Sequence, residues 1–275
     1  MEIISKTGRK NSCLMKLFYS LCFFILLAFT SSAQPVVLLD AYYNNETKKD
    51  ASGKDVHWHY AWDDFSDGGF GVLANIFVKQ GASLKTLYHA PAKNDLKDVS
   101  VYIIVDPDNL KDNPSPQYMN FTDAGTISNW VKKGGVLLLM ANDSINCDLD
   151  HFNILARKFG IVFTKESINM VKGVNYEMGN VYPVKDNIIL NHDFKIFMKD
   201  VSALSISKHV DAIANNGEKN IIAHAKYGKG HVVAIGDPWL YNEYIDNRKL
   251  PASFQNTKAA EQLVSALLTF SKQHH

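Results

Sequence analysis

Residues 56–70 read VHWHYAWDDFSDGGF, with two histidines, two tryptophans, a tyrosine and three aspartates just ahead of a glycine pair. Histidine titrates near neutral pH and so can take or give a proton during a reaction. His57 and His59 are therefore the first candidates for catalysis, with Tyr42 and His151 as further proton carriers. Alternate residues of a strand face one side, so His57 and His59 could instead share a metal ion with Asp63 or Asp64. The spacing fixes no third ligand, and no metal is assigned. Cofactor motifs are missing: there is no Gly-x-Ser-x-Gly elbow and no phosphate-binding glycine loop. Gly68-Gly69-x-Gly71 follows no buried strand, so it is no dinucleotide fingerprint, and no cofactor is expected. Cys147 reads as a structural thiol.

Four apolar runs end in carboxylates or amides: Pro35 to Asp40, Val101 to Asp106, Gly135 to Asn142 and His231 to Asp237. Such runs read as strands buried on both faces of a parallel sheet. Ser83 to Tyr88 reads as a fifth, shorter strand. In open parallel sheets ligands bind beyond the carboxyl ends of the strands. The polar residues collect there: Asp40, Asn45 and Glu46; Asp106 and Asp108; Asn142 and Asp143; and Asp237, Trp239, Asn242 and Glu243. Trp62, in the stretch before the first helix, belongs to the same rim. An aspartate after a strand is also a common turn or cap residue, and a tryptophan there can simply pack. What favours a binding site is the coincidence of four such ends. Aromatic faces beside amides and carboxylates suit a sugar ring, which has apolar C–H faces and a hydroxyl edge.

Helical patterns fall between the strands. Phe70, Leu73, Ile76 and Phe77 share a face, capped by Ser66 or Asp67 and stopped at Gly81. Ile127, Trp130 and Val131 follow a Thr122 cap. Leu149 to Phe159 follow Asp148, and a last helix runs over about 257–271. Residues 165–225 carry short strand-like runs without strong helices. The expected architecture is an α/β sandwich with a mostly parallel sheet, helices on both faces and a short antiparallel extension.

The N-terminus reads as a leader. Lys6, Arg9, Lys10 and Lys16 precede the apolar run Leu21 to Phe29, and Ser31-Ser32-Ala33 offers a cleavage point before Gln34. Export to a periplasm is expected, with residues 34–275 forming one domain and no stable membrane insertion after cleavage. Four basic residues and one acidic residue lie in 1–33, so the remainder carries a formal charge of −2 against +1 for the whole chain. With no basic tract, nucleic acid is not an expected partner. Cys13 and Cys22 leave with the leader, so an internal disulfide cannot form and the core must supply the stability.

LLDAYYNNE, HWHYAWDD, GGVLLLMANDS with DHFNILARKFGI, and GKGHVVAIGDPWLYNEY together resemble a glutamine-amidotransferase-like family of exported Bacteroidetes proteins. Members occur alone or appended to unsaturated glucuronyl and rhamnogalacturonyl hydrolases. The resemblance implies a flavodoxin-like fold. It does not carry glutaminase activity here, since Met140-Ala141-Asn142-Asp143 stands where that reaction needs a cysteine. Stand-alone relatives look like the oligosaccharide dehydratase of ulvan breakdown. That implies a hydro-lyase taking water from a non-reducing-end glucuronate or iduronate, with an anionic oligosaccharide as partner and an unsaturated-uronyl hydrolase downstream. In that reading His57, His59, His151 and Tyr42 move protons. Asn45, Asn142 and Asn242 donate to the substrate carboxylate, Trp239 stacks on the ring, and Asp143, Asp237 and Glu243 hold hydroxyls or orient a histidine. Two alternatives stand beside it: a non-catalytic carbohydrate-binding module, and a metal-dependent hydrolase built on His57 and His59.

Overall fold

A computed structural model describes Glu2 and residues 34–272. The expected leader, 1–33, lies outside the described residues except for Glu2. In chain order the elements are β1 (Val36–Asp40), β2 (Thr47–Lys49), β3 (Asp55–His57), α1 (Gly71–Lys79), β4 (Ser83–Leu87), β5 (Val101–Val105), α2 (Phe121–Lys132), β6 (Val136–Met140), α3 (Leu149–Ala156), β7 (Ile161–Ile168), β8 (Asn180–Pro183), β9 (Ile196–Phe197), β10 (Val201–Ile206), β11 (Val210–Asn216), β12 (Lys219–Tyr227), β13 (Gly230–Ile235) and α4 (Asn256–Lys272). Among the described residues no helix is long and apolar enough to cross a membrane.

Eleven strands form one sheet in the order β4-β1-β5-β6-β13-β12-β11-β8-β9, with β10 added on β12 and β7 on β10. The short ribbon β2–β3 stands apart from it. Strands β5 and β6 are buried at every position, as their β-branched and leucine-rich runs require of central parallel strands. Helices α1 and α4 cover one face, where Leu73, Phe77, Leu263 and Leu267 meet Val37, Ile103 and Leu138. Helices α2 and α3 cover the other, where Ile127, Val131, Phe152 and Leu155 meet Leu38, Ile104 and Leu139.

The expectation of a flavodoxin-like, mostly parallel sheet with a short antiparallel extension is corrected by this topology. Parallel pairing joins only β4, β1, β5, β6 and β13. The pairings of β13 with β12, β12 with β11, β11 with β8, β8 with β9, β12 with β10 and β10 with β7 are all antiparallel. The physical reason is the connections. A parallel neighbour needs a long crossover, normally a helix, whereas an antiparallel one needs only a tight turn. Between β10 and β13 the chain turns at Gly217 and Gly228, both with positive φ, and has no room for a crossover. The antiparallel part is therefore the larger share of a mixed sheet.

Two helix starts also differ from expectation. Asn120, rather than Thr122, caps α2, accepting from the backbone N–H groups of Thr122 and Asp123. Helix α1 begins at Gly71 without a side-chain cap. Helix α3 is capped by Asp148, as its sequence indicates.

Candidate functional site at the carboxyl ends of the parallel strands

The aromatic stretch 56–70 folds back on itself. Tyr60 N–H donates to Gly68 O at 2.7 Å, Phe70 N–H to Ala61 O at 3.0 Å, and Gly71 N–H to Asp64 O at 2.8 Å. A Cβ on Gly69 would stand 2.0 Å from Asp64 O, so only glycine closes this loop. His59 and Tyr60 sit in the left-handed region, with φ of 67° and 53°. Non-glycine residues there cost on the order of 1–3 kcal/mol each and mark places where the fold over-determines the backbone. The turn breaks the strand alternation after His57. His57 and His59 are thus not successive teeth on one strand face, as their spacing alone indicates.

The strained turn brings two side chains onto the rim. Tyr60 O–H donates to Asp106 Oδ2 at 2.6 Å, and His59 Nδ1 lies 3.2 Å from Glu46 Oε1. Trp58 lies against the His59 ring, with centroids 3.6 Å apart. Asp106, itself at φ 38°, also accepts from Asn142 N–H at 2.8 Å. Burial raises its carboxyl to about 7 despite these two donors.

Asp108 is almost wholly buried. Its Oδ2 accepts from Asn45 N–H at 2.9 Å and Asn113 Nδ2 at 2.7 Å, while Oδ1 has no partner. Burial raises this carboxyl to about 6, and the charge of Glu46 adds to the rise. Asp112 is likewise pushed up, first by burial, and it feels the charges of Lys111, Glu46 and His59. His57 is held below its ordinary value by burial, and its Nδ1 is buried without a partner. Asn44 Oδ1, Asn142 Oδ1 and Asp112 Oδ2 are also buried and unpartnered. Unmet buried acceptors are rare in folded proteins, because each forfeits its hydration. Here four unpartnered oxygens lie on residues joined through Asp106, Asp108 and Glu46.

The remaining candidates divide. Asp40, raised to about 6 by burial, closes a turn by accepting from the N–H groups of Tyr42 and Tyr43 and takes the Tyr102 hydroxyl at 2.5 Å. Tyr42 O–H donates to Gln117 at 3.0 Å. Trp62 donates to Lys85 O at 3.1 Å and packs on Phe70 and Phe77, over α1 rather than over the rim. Asp143 caps the loop through Ile145 and Asn146. His151 pairs with Asp148 at 2.8 Å and stacks on Tyr118 at 4.2 Å, beside a cleft of about 350 Å³ that Lys111 and Lys165 also line. Asp237 is fully buried and accepts from Lys199 N–H at 3.1 Å. Asn242 accepts from Glu243 N–H. The side chain of Trp239 lies outside the described residues. Lys249 Nζ reaches Glu243 at 2.8 Å and Asp67 at 2.5 Å, which ties the loop after β13 to the aromatic stretch. The two segments meet at one end of the sheet.

The fold is shared with solved structures of low sequence identity. The mmIFT52 N-terminal domain superposes with a TM-score of 0.63 at 15% identity, covering 84% of this chain and 97% of that one. The cytoplasmic protein STM3548 from Salmonella typhimurium gives 0.53 at 14% identity, over 86% and 98%. A β-galactosidase from Bacillus circulans sp. alkalophilus gives 0.50 at 11% identity, with 86% of this chain matching 31% of that one. At these identities the likeness is one of fold. No protein-family model matches the chain, and no curated protein matches its sequence.

The sequence placed Glu46 and Asp108 at strand ends and Asp148 at a helix start, but assigned none of them, nor Tyr60, a part in catalysis or binding. For Asp108 a signal was present: a second carboxylate directly after a buried strand, in Asp106-Pro107-Asp108. The Glu46–His59 pairing has no local signal, because it depends on the β2–β3 ribbon folding over. Among the described residues no three His, Cys, Asp or Glu side chains are grouped so as to hold a metal ion.

Proposed function

We propose that the rim is the active site of a sugar-acid lyase that eliminates water from the non-reducing-end uronate of an oligosaccharide. The observation that carries this reading is the set of unpartnered buried acceptors, Asn44 Oδ1, Asp108 Oδ1, Asp112 Oδ2 and Asn142 Oδ1, beside a carboxylate-paired histidine. Their natural complement is a ligand rich in hydroxyl groups, which donate to the two amide oxygens and accept from the two carboxyls when these are protonated. The resemblance of the four sequence motifs to the oligosaccharide dehydratases supplies the reaction type.

Elimination makes three demands. The C5 proton becomes acidic only while the neighbouring carboxylate is held and can accept charge. A base must take that proton, and an acid must protonate the departing C4 hydroxyl. His59, oriented by Glu46, is the base. Its ring takes the C5 proton, the electron pair forms the C4–C5 double bond, and the C4–O bond breaks. Asp108 is the acid. Its Oδ2 is fixed by two N–H donors, so the proton of its raised carboxyl belongs on the buried, unpartnered Oδ1, which passes it to the leaving oxygen once substrate is bound against it, and that oxygen departs as water. Lys111, beside Asp112 and lining the neighbouring cleft, is the cation for the substrate carboxylate. Asp112 and Asp108, held toward the protonated state by burial, then donate instead of repelling.

The test is incubation with several saturated oligosaccharides ending in glucuronate or iduronate. The ultraviolet absorbance of the conjugated product should appear together with a mass loss of one water. If neither appears with any of them, the lyase reading is wrong, and bound but unchanged sugar would favour a carbohydrate-binding module.

A further inference from the structure

One cavity among the described residues lies away from the rim. It has a volume of about 860 Å³ and opens at the opposite end of the sheet, where Val99 and Ser100 lead into β5 and Gly134 and Gly135 lead into β6. That size falls within the range of small-ligand pockets. Lys93, Lys97 and Lys133 line it together with Asn94, Asn129 and Trp130, and among the described residues no carboxylate does. Rim and cavity therefore have opposite electrostatic character.

The three lysines form no ion pair among the described residues, whereas Lys49, Lys165, Lys195, Lys219 and Lys249 each lie on a carboxylate. In a chain whose acidic and basic residues nearly balance, three unpaired lysines around one cavity leave a local excess of positive charge. The aromatic wall is built in as well. Trp130 meets Tyr102 edge-on at 6.3 Å, and a Cβ on Gly135 would come within 2.3 Å of the Trp130 ring. Glycine at 135 is what lets the indole lie against the start of β6.

We infer that this cavity is a second ligand site, for an acidic oligosaccharide bearing sulfate or carboxylate groups. Lys93 and Lys97 come from the segment before β5 and Lys133 from the end of α2, so the charges are drawn from two separate parts of the chain. The helix end here is the carboxyl end of α2, whose carbonyls disfavour a phosphate cluster. Separated lysines, two amides and an aromatic surface match a ligand whose anionic groups are spaced along a ring-bearing chain. The inference does not depend on the chemistry of the rim.

The test uses a keratan sulfate tetrasaccharide, which is sulfated but carries no uronate for the rim to take, titrated calorimetrically into the full protein, with neutral cellotetraose, inorganic sulfate and ATP as comparison ligands. Binding of the sulfated tetrasaccharide alone, weakened by added salt, is expected. The combined variant Lys93→Ala/Lys97→Ala/Lys133→Ala should lose about tenfold or more in affinity, and the single variant Lys133→Gln should lose a smaller part. All three lysines are exposed, so folding is unaffected, as circular dichroism will check. His59→Ala at the rim should leave this binding unchanged. No binding by the wild type, undiminished affinity in the triple variant, equal binding of cellotetraose or sulfate, tighter binding of ATP, or loss on His59→Ala would each overturn the assignment.

Discussion

Among the described residues, two histidine pairs lie in quite different surroundings. His57 and His59 stand on a strained turn at the rim, partly open, with one ring on Glu46 and the other with a buried, unpartnered Nδ1. His224 on β12 and His231 on β13 face each other across an antiparallel ladder, buried, with Nε2 of the first 2.9 Å from Nδ1 of the second. Both stack on Phe270 of α4, His231 at 4.2 Å and nearly parallel. Asp211 lies 3.6 Å from His224, beyond hydrogen-bond length, and is itself exposed. The inner pair is sealed in the core, and the outer pair is partly exposed. Residue type does not say which pair can meet a ligand, and neither does unmet hydrogen bonding, since Nδ1 of His224 is as unpartnered as Nδ1 of His57; exposure does.

The sharpest way to break this contrast is to truncate one histidine of each pair. On the proposed reaction His59→Ala should lower kcat/KM by about 10²–10⁴-fold, and thermal unfolding should move little because the ring is partly exposed. Asp108→Asn should cost on the order of 10²-fold and remove the alkaline fall in rate expected of the wild type above about pH 6, where its acid would lose its proton. A pH–rate profile of both proteins checks this.

At the inner pair, His224→Ala should destabilise the fold by about 2–4 kcal/mol in urea unfolding. Any loss of rate there should follow the folded fraction. A gentler probe of the same pair is pH. Burial lowers the His224 pKa from its ordinary value, so the folded state binds its proton less well than the unfolded chain does. The stability it contributes is complete above the unfolded value of about 6.5. It is lost as the pH falls toward the depressed folded value. Unfolding midpoints measured downward from pH 7 should drop more steeply for the wild type than for His224→Phe. The smallest effect belongs to Lys249→Ala, which cuts the exposed link between Glu243 and Asp67. About 0.5 kcal/mol and a change in rate of a few-fold at most are expected, since the backbone bonds of the aromatic loop hold its shape without it.

Much of the parallel half was legible because its strands are unbroken apolar runs with carboxylates at their ends. Val101 to Val105 and Val136 to Met140 could be nothing else. The antiparallel half was less so. Strand β7, Ile161–Ile168, runs from three apolar residues into four polar ones without alternation, and its pairing with β10 joins residues far apart in the chain. Asp40, Asp106 and Asn142 were placed at the rim by the strand ends alone, but which of them is spent on turn closure was not visible. Asp40 is occupied by Tyr42, Tyr43 and Tyr102, and Trp62 by packing over α1. The partners that distinguish the rim, Glu46 for His59 and Tyr60 for Asp106, arise from a left-handed turn at two non-glycine residues. No sequence pattern marks such a turn, since non-glycine residues are uncommon there and a bulky tyrosine especially so.

The division of labour between His59 and Asp108 can be tested most directly by following the C5 proton of a saturated uronate-terminated oligosaccharide by NMR in D2O. Three enzymes are compared: the wild type, Asp108→Asn and His59→Ala. The wild type should eliminate water. Asp108→Asn should exchange the C5 proton for deuterium while forming almost no unsaturated product, and His59→Ala should do neither. If His59→Ala still exchanges that proton at the wild-type rate, or if Asp108→Asn eliminates as fast as the wild type, the rim does not work as described.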